Sequence, residues 1–146
     1  MIITKKLFLD ETSWYAIVDQ NTSSHQFFAG RFQSELKEET KFFTSNIAVA
    51  NTISKIKNEL STDLSLKFNE ILEDAHLGNH LRIMWIGRRT QKEALRWMRK
   101  HPQLSLHLYD FAHAVLMERR RINTILSEQL EFEELGYKVI SPVENN

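Results

Sequence analysis

Ser13-Trp14-Tyr15-Ala16-Ile17-Val18-Asp19 and, after a polar interval, His25-Gln26-Phe27-Phe28-Ala29-Gly30-Arg31-Phe32 decide how the chain is read. Both runs are short and rich in aromatic and β-branched residues, and Asp19-Gln20-Asn21-Thr22-Ser23-Ser24 between them is a turn-rich cluster of the kind that joins antiparallel strands. With the β-rich segment Ile2 to Leu9 before them, they predict an N-terminal antiparallel β-meander of three strands.

Downstream the apolar spacing becomes helical. Val49, Ile53, Ile56 and Leu60 form one stripe behind the cap candidates Thr44, Ser45 and Asn46. Leu64, Phe68, Ile71, Leu72 and Ala75 form a second, opened by Ser61-Thr62-Asp63 and closed by Gly78. Leu81-Arg82-Ile83-Met84-Trp85-Ile86 is nearly continuous in apolar residues and predicts an inner strand. Thr90-Gln91-Lys92-Glu93 fits a capping box. That helix is expected to stop near His101, because Pro102 disfavours helix in the residue before it. Pro102 suits the first turn of a last helix burying Leu104, Leu108, Phe111, Val115, Ile122 and Leu126. Gly136 then precedes a closing strand, Tyr137-Lys138-Val139-Ile140. The expected order, β-β-β-α-α-β-α-α-β, indicates an α+β fold in one domain over residues 1–146.

The composition fits such a domain. With 146 residues, 42% of them hydrophobic and nine of them Phe, a core can form without a covalent staple. Cysteine is absent, which excludes disulfides, thiolate metal sites and thiol nucleophiles and suits a reducing compartment. No apolar run approaches the roughly 20 residues of a membrane span, and the N-terminus lacks a signal-peptide pattern. A cytoplasmic protein without membrane contact is expected.

The net charge of zero conceals a segregation. Lys and Arg number 8 against 11 acids over residues 1–81, 10 against 3 over 82–121, and 1 against 5 over 122–146. The basic middle segment implies an anionic partner, or an internal acidic cover. Within it, Leu81 to Thr90 reads as strand, glycine turn and helix start, which aims backbone N–H groups and the helix dipole at one spot. Gly87, Arg88, Arg89 and Thr90 are the candidate anion-binding turn, with Lys92, Arg96, Arg99 and Lys100 on the outer face of the following helix. Gly87 stands alone, so no dinucleotide or P-loop glycine pattern is present.

Candidates for chemistry are sparser. His76 and His80 are four apart, but Gly78 and Asn79 interrupt their helix. His107, Asp110 and His113 step by three, yet helical geometry sets His107 and His113 about 120° apart, so no metal ligation is expected from them. Arg119-Arg120-Arg121 fan out around their helix, and one of them is expected to pair with Glu128, Glu131, Glu133 or Glu134. Neither a Gly-x-Ser-x-Gly elbow nor a Ser or Thr set by sequence beside a His occurs, so no catalytic residue, metal or cofactor is assigned. Phe27 and Phe28, adjacent on a strand, would face opposite sides and fill a two-sided core or an oligomer interface. Arg96 and His101 have the Arg-x4-His spacing that resembles all-helical ribonuclease domains, but the likeness stops at two residues and no family is recognised from it.

Three functions follow in order. The first is a non-enzymatic binding protein for a phosphate-bearing ligand, nucleotide-like or nucleic acid. The second is a protein-interaction module such as an inhibitor or immunity-type protein, with homo-oligomerisation open. The third is a small hydrolase or nuclease using dispersed His and acid residues.

Overall fold

A computed structural model describes residues 4–142, so the Ile2–Ile3 part of the expected first strand lies outside it. The elements are β1 (Lys6–Leu9), α1 (Glu11–Val18), α2 (His25–Lys37), β2 (Lys41–Ser45), α3 (Asn46–Glu59), α4 (Thr62–Leu77), β3 (Leu81–Met84), α5 (Arg88–Lys100), α6 (Leu108–Arg120), β4 (Thr124–Leu126), a 3-10 helix (Leu130–Leu135) and β5 (Lys138–Ile140). The strands form one sheet in the order β3-β2-β1-β4-β5, and every pairing is parallel.

The antiparallel meander and the α+β class are therefore overturned: this is a doubly wound α/β fold. Residues 13–19 and 25–32 lie in or at the ends of helices α1 and α2. A short run of Trp, Tyr, Ile and Val is compatible with a buried helix as well as a strand, and here local capping decides. Asp10 caps α1 by accepting from Ser13 N at 3.1 Å. The Trp14 indole N–H then donates to Thr44 Oγ1 at 2.9 Å, and its ring packs edge-on against Phe32 and Phe68. Phe28 is wholly buried and Phe27 partly so, their rings 5.4 Å apart on one helix.

The strand alternation sorts the core onto two faces. Phe8, Phe43 and Ile125 join the cluster under α5 and α6 with Phe111, Val115 and Met117. Leu7, Leu9, Phe42 and Leu126 join the other with Trp14, Phe28, Ile56 and Phe68.

Several local readings agree with the structure. Ser45 and Ser61 cap α3 and α4, Gly78 is the C-cap of α4, and His101 that of α5. Others do not. β3 is an edge strand, not an inner one, with Arg82 exposed and Trp85 beyond it 75% exposed. α5 begins at Arg88 behind Gly87, so Thr90 is not its cap. Pro102 lies in a non-helical connection, and α6 starts only after His107. Arg121, in the left-handed region at φ 55°, ends α6 and releases β4, which the sequence reading had merged into the helix.

Candidate active site at the carboxyl edge of the sheet

From β1 the chain winds outward through β2 and β3, then returns to place β4 on the other side of β1. The order reverses between β1 and β4, and open parallel sheets present their ligand crevice outside the carboxyl ends of strands at such a point. β1 ends at Leu9 and β4 at Leu126, so Asp10 and Ser127 are the residues that emerge there.

Asp10 is wholly buried. Its Oδ1 accepts from Thr12 Oγ1 at 2.6 Å and Ser13 N at 3.1 Å, and its Oδ2 from Ser127 Oγ at 2.5 Å. Burial pushes its carboxyl up to about 7, against the opposing pull of the Ser127 and Thr12 hydroxyls. Glu11 follows, and burial together with the charge of Asp10 pushes it up to about 9. Across the crevice, α6 contributes Asp110, whose Oδ2 accepts from His107 N at 2.9 Å in a capping box and whose carboxyl burial also raises. One turn later comes His113, fully buried, held neutral by desolvation with its value lowered to about 3.

Four buried polar atoms in this crevice lack a hydrogen-bond partner: both carboxylate oxygens of Glu11, Oδ1 of Asp110 and Nδ1 of His113. Ligand atoms of these three residues lie within 4.8 Å of one another. Buried polar groups are normally satisfied, so orphaned acceptors converging on one point fit a divalent cation, whose charge would offset the mutual repulsion of the carboxylates. The donor set passes this test. The crevice opens into a cleft of about 410 Å³ lined by Thr12, Asn51, Lys55, Tyr109 and Glu128. Tyr109 is raised to about 12, by burial first and then by Glu11, Asp110 and Asp10.

The basic turn lies at the same edge of the sheet, beyond β3. Asn46 ties it there: its Oδ1 accepts from Ile86 N at 2.7 Å. Gly87 caps α5 and Thr90 is buried, its Oγ1 accepting from Arg119 Nη1 at 2.7 Å. Thus Arg119 meets Thr90, while Glu128 and Glu131 accept from Ser24 and Ser105. Arg88, Arg89, Lys92, Arg96, Arg99 and Lys100 are all exposed, and Arg96 pairs with Glu93. The acid crevice is a separate locus, two strands away across β2.

The profile of the PIN domain matches residues 7–137. The chain belongs to the PIN-domain family. Among solved structures, this PIN domain is similar to VapC20 of Mycobacterium tuberculosis, a Sarcin-Ricin loop cleaving toxin, at 15% identity with a TM-score of 0.80, covering 93% of this chain and 99% of that one. No curated protein sequence matches it.

The family and the acid crevice overturn the expectation of a non-enzymatic binding protein and favour the third reading, a small nuclease built from dispersed His and acid residues. The sequence argument against a metal weighed His107, Asp110 and His113 as one set, whereas the structure groups Asp110 and His113 with Glu11. Helical angle separates His107 from His113, but Asp110 and His113 are one turn apart and converge with Glu11, which comes from another element. Asp10 and Glu11 were missed altogether. Their signal was a carboxylate pair directly after the apolar run Leu7-Phe8-Leu9, the position at which a parallel strand delivers residues to a crevice.

Among the described residues no helix is long and apolar enough to cross a membrane.

Proposed function

We propose that this PIN domain is a divalent-cation-dependent ribonuclease. The observation that carries the reading is the set of orphaned polar atoms converging between β1 and α6. The carboxylates of Glu11 and Asp110 would hold the cation, with Asp10 adding negative charge beside them. When bound, the cation polarises the scissile phosphodiester and lowers the pKa of an attacking water.

The chain's own residues supply position. Ser127, Thr12 and the Ser13 amide fix Asp10, and the His107 amide fixes one oxygen of Asp110 so that the other faces the crevice. Lys55, stacked 4.2 Å over the Tyr15 ring at the cleft, offers a cation to a backbone phosphate. Arg88 and Arg89 at the helix N-terminus, with Lys92, Arg96, Arg99 and Lys100 along α5, extend a positive track for the RNA strand; Thr90 instead anchors the helix. The exposed Trp85, its ring against Gly87 at the turn, provides a face on which a base can stack.

The similar structure's named action on the Sarcin-Ricin loop supports RNA as the substrate class, and a cytoplasmic location suits that substrate. Leu66, Ile71 and Leu77 on α4, all exposed, offer an apolar surface for a protein partner or a second copy. The test is cleavage of ribosomal RNA by purified protein with Mg²⁺ or Mn²⁺, with EDTA, and with Asp10→Asn or Asp110→Asn. Cleavage that survives EDTA or both substitutions refutes the reading.

A further inference from the structure

His113 introduces a nitrogen into a carboxylate crevice. Its Nε2 lies 2.8 Å from Ser45 Oγ, an oxygen that already accepts from Ala48 N at 2.9 Å as the cap of α3. The other nitrogen, Nδ1, is buried and without a partner. A nitrogen of His113 lies within 4.8 Å of ligand atoms from Glu11 and Asp110, and with Nε2 engaged by Ser45 the nitrogen left free to ligate is Nδ1. The ring cannot easily turn away: Phe8 packs on it at 5.0 Å and Tyr109 at 6.2 Å.

Two tautomers are open to this imidazole. With the proton on Nδ1, burial would demand donation to a carboxylate at roughly 2.7–3.2 Å, and no such bond forms. With the proton on Nε2, donated to Ser45 Oγ, Nδ1 turns a bare lone pair toward two carboxylates, an arrangement that repels unless a cation lies between. Opposite ligands of an ion with bonds of about 2.1 Å stand about 4.2 Å apart, so the observed spread of 4.8 Å closes with small side-chain movements. A ligating imidazole also usually donates its second nitrogen to an orienting oxygen, the role open to Ser45.

Resting on the ribonuclease reading above, we propose that His113 Nδ1 ligates the cation beside Glu11 and Asp110, and that the resident ion is accordingly a first-row transition ion of the Mn²⁺ kind, not Mg²⁺. Carboxylates and water suit Mg²⁺, whereas imidazole shifts a site toward transition ions.

Pulsed EPR on the intact protein loaded with one equivalent of Mn²⁺ tests this. The expected spectrum carries ¹⁴N modulation from a coordinated imidazole. That modulation changes to the ¹⁵N pattern in protein grown on ¹⁵N-histidine, persists in His107→Gln and disappears in His113→Gln. Calorimetry should find Mn²⁺ bound more tightly than Mg²⁺, and the Mn²⁺ affinity of His113→Gln reduced roughly tenfold or more, with thermal melting to verify that the variant folds. The labelling experiment needs no variant. Bound Mn²⁺ without nitrogen modulation, or Mg²⁺ bound as tightly as Mn²⁺, overturns the histidine assignment and leaves the carboxylate site standing. Absence of binding by either ion defeats both this proposal and the ribonuclease reading.

Discussion

Replacing Asp10 by asparagine should stabilise the cation-free protein at pH 8 and do far less at pH 5. Burial moves this carboxyl from 3.8 to about 7 in the folded chain. Because the folded value lies above the unfolded one, the group's favourable contribution is complete below about pH 4 and is lost as the pH climbs to about 7. At 1.36 kcal/mol per unit, the ionisable group disfavours folding by roughly 1–2 kcal/mol at pH 5 and about 4 kcal/mol at pH 8. Asparagine keeps the shape and removes the charge. It also weakens the bonds from Ser127, Thr12 and the Ser13 amide, a loss of about 1–2 kcal/mol that is the same at both pH values. The difference between the two pH values cancels that loss and leaves about 2–3 kcal/mol, or roughly 5–10 °C in Tm for a chain of this size. Thermal melts of both proteins in EDTA at pH 5 and pH 8 measure it. Saturating Mn²⁺ should shrink the gap by neutralising the wild-type carboxylate. A variant-minus-wild-type Tm difference that is equal at both pH values, or more negative at pH 8, would show that no penalised charge resides at residue 10.

Ser127→Ala removes the 2.5 Å donor to Asp10 and should lower stability by about 1.5–3 kcal/mol, with a loss of RNA cleavage; urea unfolding and a turnover assay read the two effects. Thr90→Val deletes the acceptor of the Arg119 guanidinium and should cost about 1 kcal/mol, the same whether or not RNA is present, as melts with and without RNA would report. Arg96→Ala combined with Arg99→Ala should weaken RNA binding similarly for all sequences and flatten the salt dependence by roughly 0.7 in log–log slope per lost phosphate contact; an unchanged slope would remove α5 from the RNA track.

What could be read from the sequence was what short-range hydrogen bonding determines. Ser45 and Ser61 announce the starts of α3 and α4 because their hydroxyls accept from amides three residues on, and Pro102 marks the stop at His101 without any knowledge of the tertiary fold. The error over residues 13–32 was of another kind. Trp14, Tyr15, Ile17 and Phe28 are as suited to a buried helix as to a strand, and what settles the matter is Asp10, a residue outside the stretch, acting on Ser13. The antiparallel class fell with it, since crossover helices between β1 and β2 are what make the sheet parallel. The site was less legible for a related reason. Glu11 and Asp110 are distant in sequence and each is unremarkable alone; only the position of β1 between β2 and β4 brings them face to face. The basic segment was conspicuous because its charges are contiguous, and contiguity drew attention away from the acids.

The bond between Ser127 and Asp10 joins residues 117 positions apart. On a chain emerging from the ribosome, residue 10 appears 117 positions before its partner, and β4 cannot pair with β1 until residues 124–126 have followed. The crevice therefore stays unformed while the residues between β1 and β4 are added. For the ribonuclease proposed above, made on a machine largely built of RNA, the site cannot assemble until β4 has been added.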